Sequence, residues 1–480
     1  MKEAAVCLTP LRNCFEGAVP SVLATCSPDG VPNVTYLSQV QYVDERHVAL
    51  TFQFFNKTRR NILANPWAML KVVDPFSGHG WRLRVRYLRT ETSGALFESM
   101  KAKLAGIASH TGMAEVFRLL GADVYEVLQV EALPSPAPAP VPALADHLPR
   151  LRRACALLDA SRDLDELLDN TLSALERECG IEHQMILKLD ECGERLFTVA
   201  SRGYASSGVG SEIPMGHGVI GVAARERTPI RISHMTSEYA YGKAVRESAA
   251  AQGLHHQLET AIPMPGLAEC RSQMAVPILA GQALYGVLYV ESPLDLRFSY
   301  DDEDLLQVLA QQFGWMARSL AAEAVCEPGA DAPVPPPSTV SASAAAAASA
   351  PEKPIAPEVV AGAGMVAEAP AAVRPLQVRY FRADHSVFLD EDYLIKGLAG
   401  AILWRLMQTL QHKGRDQFSN RELRLDPQLA LPEVADNLEA RLVLLQRRLA
   451  ERSDCVRMRK TGRGRFALEV SRPLRLVLVE

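Results

Sequence analysis

Residues 22–72, VLATCSPDGVPNVTYLSQVQYVDERHVALTFQFFNKTRRNILANPWAMLKV, decide how the chain begins to fold. β-rich runs at 21–25, 32–43, 47–54 and 68–73 are separated by turn signals such as Ser27-Pro28-Asp29-Gly30. Short strands with tight turns predict a small antiparallel barrel. Residues 81–92 continue the strand pattern, 95–104 and 113–119 have helical spacing, and 124–132 close the unit with a strand. Lys57, Thr58, Arg59 and Arg60 set three cations and a hydroxyl in consecutive positions, a group that can neutralise and hydrogen-bond a phosphate. The same block also reads as a solvated basic turn after the third strand.

Outward from this stretch, two compositional breaks divide the 480 residues. PSPAPAPVP at 134–142 is an extended, proline-stiffened spacer. The stretch 327–375, with PVPPPS and SASAAAAASA inside it, has little to bury and reads as disordered. The expected organisation is a barrel at 1–133, a linker at 134–147, a second domain at 148–325, a linker at 326–375 and a third domain at 376–480. A formal charge of −5 argues against a uniformly basic surface. The nine cysteines include no Cys-x-x-Cys pair and read as reduced thiols. The first residues lack a signal-peptide pattern, and no apolar run reaches the roughly 18 residues a membrane span needs, so a cytoplasmic location without membrane contact is expected.

In the second segment, apolar positions between Leu151 and Leu175 recur at helical spacing. Strands are predicted at 184–189, 196–201, 228–232, 274–279 and 283–291, a helix opening at Gly216–Ala224, and a closing helix over 299–320. This is an α+β sandwich. Between its central helix and its last hairpin lies a stretch holding His234, Tyr239, Tyr241, His255, His256, Glu259 and Cys270. Adjacent histidines point apart on a helix or a strand, so a mobile polar lid is the better reading than a metal site.

The third segment begins with short strands at 377–381 and 386–389 and a helix at 400–412. Ser419 is a candidate N-cap with Glu422 three residues on. A long helix follows from Pro432 to about Arg452, striped by Leu438, Leu442, Leu445 and Leu449, and a hairpin turns at Thr461-Gly462-Arg463-Gly464. Small sheet, three helices and terminal hairpin make a winged helix-turn-helix layout. Arg457, Arg459, Lys460, Arg463, Arg465, Arg472 and Arg475 face only Asp454 and Glu469 between 453 and 475, a local excess of about +5 suited to phosphates. A dimerising leucine stripe with a solubilising basic edge is the other reading of the same residues.

Three resemblances attach to these segments. Residues 10–133, through the 22–72 text and its Asn-Lys-Thr-Arg-Arg-Asn block, resemble the pyridoxamine phosphate oxidase-like, FMN-binding split barrels. That resemblance implies FMN held through Lys57, Thr58, Arg59 and Arg60, with Tyr36, Ser38, Thr51, Phe52 and Gln53 near the flavin ring. The aromatic-rich substrate motif of the genuine oxidases has no counterpart before Pro134, so vitamin B6 oxidation is not expected. GHGVIGVAARERTPIRI, SQMAVPILAGQALYGVLYVES and FSYDDEDLLQVLAQQF resemble GAF domains, which implies that the 233–271 stretch walls a small-molecule cavity. Residues 377–471 resemble the effector domains of OmpR/PhoB-type response regulators, which implies that the long helix enters a DNA major groove, with Arg441, Gln446, Arg447 and Arg448 as candidate contacts, while the basic hairpin lies on the backbone. The expectation is a homodimeric one-component transcriptional regulator that senses a small ligand or redox state and binds duplex DNA. The alternative is a flavin-dependent oxidoreductase with regulatory C-terminal domains, for which spacing alone assembles no acid, base or nucleophile set.

Overall fold

The structure is a computed structural model that describes residues 6–37, 39–52, 56–110, 119–134, 147–233, 262–267, 269–326, 374–429 and 438–479. After a 3-10 helix at Thr9–Phe15 come β1 (Ser21–Cys26), β2 (Pro32–Leu37), β3 (Val40–Tyr42), β4 (His47–Phe52), α1 (Asn56–Ala64), β5 (Trp67–Val73), β6 (Gly80–Glu91), α2 (Ala95–His110) and β7 (Gly121–Ala132). The seven strands form one sheet in the order β2-β1-β5-β6-β7-β4-β3. β2 and β3 stand at opposite ends of that order although Leu37 and Val40 are nearly consecutive. The sheet must therefore curl until its ends meet, and among the described residues those two ends do not pair, which leaves a split. Alternation drives the closure: Leu23, Leu37, Leu50, Leu70, Val72, Leu83, Val85 and Val127 all point to one buried interior. The run 32–43, expected as one strand, is thus two strands, because its halves pair with different neighbours, β1 and β4. The helical spacing at 113–119 falls almost entirely outside the described residues.

The second unit contains α3 (His147–Asp159), α4 (Leu164–Cys179), β8 (His183–Leu189), β9 (Arg195–Arg202), β10 (Glu212–Pro214), α5 (Gly218–Glu226), β11 (Ile230–Ile232), β12 (Ser272–Ala280), β13 (Ala283–Ser292) and α6 (Tyr300–Cys326). Its antiparallel sheet runs β10-β9-β8-β13-β12-β11. Leu167, Leu172 and Leu175 of α4 and Leu306, Leu309 and Phe313 of α6 cover one face, and Ile220, Ala223 and Ala224 of α5 cover the other. α4 starts where Asp163 accepts from the Glu166 amide at 3.0 Å and stops at Gly180, whose φ of +63° is left-handed.

Barrel and sandwich share a buried seam. The Tyr300 ring, at the start of α6, joins the barrel core, lies 5.6 Å edge-on to Tyr42, and its hydroxyl accepts from the Tyr42 amide at 3.3 Å. Beneath it Arg231 of β11 is fully buried. Its guanidinium donates to Glu16 of the barrel, to Glu303 at 2.8 Å, to Ser233 at 2.9 Å and to the Phe298 carbonyl at 3.1 Å. Burial alone would pull its pKa down, but Glu16 and Glu303 more than reverse this, so the cation is held firmly.

The third unit contains β14 (Leu376–Phe381), β15 (Ser386–Leu389), β16 (Asp392–Ile395), α7 (Gly397–Lys413), β17 (Gln417–Ser419), α8 (Asn420–Arg424), α9 (Leu438–Arg452), β18 (Val456–Gly462), β19 (Arg465–Val470) and β20 (Leu474–Val479). One sheet runs β16-β15-β14-β20 and another β17-β19-β18. The expected cap forms: Ser419 Oγ accepts from the Glu422 amide at 3.2 Å. β20 was not expected; it pairs in parallel with β14, Leu376 opposite Leu474 through Phe381 opposite Val479. Among the described residues no helix is long and apolar enough to cross a membrane.

Candidate functional site

The basic block of the barrel follows the fourth strand and forms the first turn of α1, so it is helical where a turn after the third strand was expected. Lys57 and Arg60 are exposed and make no ion pair among the described residues. Thr58 and Arg59 turn inward instead. Thr58 Oγ1 accepts from Asn33 at 2.9 Å, and Arg59 pairs with Asp123 at 2.6 Å, its guanidinium 4.6 Å from the centre of the half-buried Phe52 ring. Burial pushes the Asp123 carboxyl up, against the pull of the Thr90 hydroxyl and Arg59. Thr51 is buried and its hydroxyl has no partner among the described residues. It shares with Thr58, Arg59 and Asp123 a cavity of about 10 Å3, room for about one water. Tyr36 is 72% exposed on the outside of β2, and Ser38 and Gln53 lie outside the described residues. A phosphate ester suits the exposed Lys57 and Arg60 at the start of α1.

In the sandwich, Tyr289 Oη lies 2.5 Å from Gln273 and 2.8 Å from Glu291. Both neighbours present oxygens, Gln273 Oε1 and Glu291 Oε1, and the one hydroxyl proton serves one of them at a time. Glu291 also accepts from the Leu267 amide at 3.0 Å. The buried Tyr204 hydroxyl has no hydrogen bond among the described residues; burial, then the neighbouring Glu291 charge, push its pKa up. Glu291 also lines a cavity of about 180 Å3 with His183, Ser292 and Arg297. Cys270 is buried beside this cluster, its Sγ donating to the Ser272 carbonyl at 3.3 Å. His234, Tyr239, Tyr241, His255, His256 and Glu259 lie outside the described residues, and so does most of the expected lid. Among the described residues no cluster of three or more histidine, cysteine or acidic side chains could hold a metal.

The family model described as pyridoxamine 5'-phosphate oxidase matches residues 10–130, and the one described as GAF domain matches residues 163–316. The chain joins a split barrel of the first kind to a GAF domain. Solved structures similar to parts of it include an FMN-binding protein from Syntrophomonas wolfei (15% identity, 27% of this chain and 88% of that one, TM-score 0.23). The GAF domain of an Acinetobacter phosphoenolpyruvate-protein phosphotransferase is similar at 21% identity, over 39% of this chain and 99% of that one, with a TM-score of 0.29. A free methionine-R-sulfoxide reductase from Neisseria meningitidis is similar at 18% identity, over 38% of this chain and 96% of that one, TM-score 0.29. Curated proteins give no match.

The candidate contacts of α9 meet the GAF domain. Arg441 pairs with Glu191, in the β8–β9 turn, at 2.8 and 3.1 Å, and its guanidinium lies 3.8 Å over the Phe197 ring. Arg447 reaches Asp165 and Asp169 of α4, each at 2.7 Å. Gln446 is half-buried and lines a cleft of about 90 Å3 between the two domains, together with Asp165 and Lys460. Arg448 departs from the expected groove set: it is buried in its own domain, donates to the Leu394 carbonyl at 3.0 Å and faces Glu451 at 3.4 Å. It flanks the leucine stripe and follows that stripe inward, where burial pulls its pKa down. On the hairpin, Arg457, Arg459, Lys460, Arg463 and Arg465 are all exposed. Arg459 pairs with Glu469 at 2.6 Å across the strands, and Lys460 pairs with Asp163 of the GAF domain. Burial works against the Asp163 charge, but Lys460 and the Glu166 amide hold its carboxyl below the usual range.

Proposed function

We propose that this chain is a one-component sensory regulator whose residues 376–480 form a winged helix-turn-helix that binds duplex DNA, with the split barrel and GAF domain as its sensing end. One observation carries the reading: α8 with its Ser419 cap, α9, and a following two-stranded hairpin whose exposed positions hold Arg457, Arg459, Lys460, Arg463 and Arg465. Such a hairpin supplies sequence-independent phosphate contacts, and the helix beside it has the length to lie in a groove. The full chain, acting in the cytosol as a homodimer, is titrated against random and enriched duplexes at two salt concentrations. Binding that weakens steeply with salt supports the reading, and absence of binding at low salt refutes it.

The barrel's share of this function is FMN binding. Lys57, Arg60 and the start of α1 suit the phosphate. Arg59 is already engaged by Asp123, and the interior of about 10 Å3 does not admit a tricyclic ring, so the ring takes the outer surface. The bound group would supply redox or light sensitivity. The purified protein's absorption spectrum and calorimetry with FMN test it: Lys57→Ala with Arg60→Ala weakens binding, and a colourless wild type that takes up no FMN refutes it. The GAF domain's share is a small ligand near the Tyr204–Glu291 cluster.

A further inference from the structure

We propose that the GAF domain is an intramolecular competitor of nucleic acid: its acidic face occupies the cations that the third domain would turn toward phosphates. The inference rests on the reading of residues 376–480 as DNA-binding and adds how that activity is held in check. Three of the cations assigned to DNA have carboxylate partners across the domain boundary: Arg441 on Glu191, Arg447 on Asp165 and Asp169, and Lys460 on Asp163. The boundary carries two further polar links, Ser207 to Glu451 at 2.8 Å and Lys396 to Glu212 at 3.5 Å. The acids come from two separate GAF elements, the first turns of α4 and the β8–β9 turn, yet converge on one helix and the adjoining hairpin. Carboxylate oxygens and phosphate oxygens make the same charge-assisted bonds to guanidinium and ammonium groups. A cation saturated by one is therefore withheld from the other.

The arrangement is graded in a way that permits release. The Arg441–Glu191 pair is mostly buried, 12% and 16% exposed, and is backed by the Phe197 ring. Asp165 and Asp169 are 36% and 59% exposed, and pairs so open contribute little each. The docked form is thus favoured by the sum of several weak contacts and one strong one. Apparent DNA affinity is the intrinsic affinity scaled by the fraction undocked, so any ligand that favours the undocked form raises DNA binding without touching the DNA-binding surface.

The test uses full-length chains and a short random duplex, read by fluorescence anisotropy over a salt series. The triple variant Glu191→Gln, Asp165→Asn, Asp169→Asn changes only GAF residues. It is expected to bind at least about tenfold more tightly than wild type at low salt. Its affinity also falls more steeply with salt, because in wild type salt loosens the competing ion pairs while it weakens the DNA contacts. Asp165→Lys with Asp169→Lys leaves the buried Glu191 intact and shifts affinity in the same direction, which guards against a folding defect in the triple variant. Equal affinity and equal slope in wild type and both variants overturn the masking while leaving DNA binding standing. No binding by any of the chains at low salt removes the DNA-binding reading itself, and the masking with it.

Discussion

Arg231→Met tests the seam between barrel and GAF domain. The substitution keeps much of the side-chain volume but removes donors to Glu16, Glu303, Ser233 and the Phe298 carbonyl. Glu16 is 7% exposed, and a buried ion stripped of its partner costs about 3–5 kcal/mol. Glu16 belongs to the barrel and Arg231 to the GAF domain, so both regain water when the domains part. The cost of stranding Glu16 therefore falls on the docked state, while the lost bonds to Glu303, Ser233 and the Phe298 carbonyl also weaken the GAF domain itself. At about 1.4 kcal/mol per decade, the seam opens roughly 10²- to several 10³-fold more often. Hydrogen exchange reads this at the Tyr42 amide, which donates to the Tyr300 hydroxyl across the seam. Adding Glu16→Gln removes the stranded charge and recovers part of the loss. Unchanged exchange in Arg231→Met, or a double variant no better than the single, would refute the reasoning.

Three more outcomes are expected. Lys103 is buried, with Nζ 2.7 Å from Gln41 and 5.3 Å from the Tyr300 ring centre; burial, then the Arg231 charge, pull its pKa from 10.5 down to about 8 despite Glu16 and Glu303. Below about pH 8 both folded and unfolded chains carry the proton, and between about 8 and 10.5 only the unfolded chain does, so wild type gains stability relative to Lys103→Met as pH rises through that window; parallel denaturation curves across it would contradict this. Gly400→Ala in α7 places a Cβ 2.0 Å from the His385 carbonyl oxygen, backbone that cannot yield cheaply, so the overpacking cost of about 1–3 kcal/mol outweighs the helix-propensity gain of about 1 kcal/mol and the C-terminal domain's denaturant midpoint falls. Arg457→Ala weakens binding to random and enriched duplexes equally and lowers the salt slope by about one unit, whereas a loss confined to the enriched sequence would assign Arg457 to base readout.

Local pattern made much of this legible. Alternation marked most strands of the barrel, the leucine stripe marked α9, and the Ser419 cap formed where its spacing placed it. The misread features are those set by partners far along the chain. The 32–43 run divides because β1 and β4 compete for its two halves, which no window of neighbouring residues reveals. In the PIRIS stretch, Arg231 looks like a solvent-facing cation on a short strand, and its burial depends on Glu16, 215 residues earlier. Arg448 carried a signal that was overlooked, since it sits beside the stripe that faces the core. The alternating LRLVLV of β20 was equally plain, but lay past residue 471, where the resemblance that guided the reading stops.

The parallel pairing of β14 with β20 gives the C-terminal domain a mechanical direction. Residue 374 leads into the start of β14 while residue 479 leaves the far end of β20, so tension drawn between those points slides the strands past one another. All the rungs from Leu376–Leu474 to Phe381–Val479 share such a load at once, whereas a hairpin pulled at its open end unzips rung by rung. A pull applied between residues 374 and 479 is thus met along the strand axis, the orientation in which a short ladder resists best.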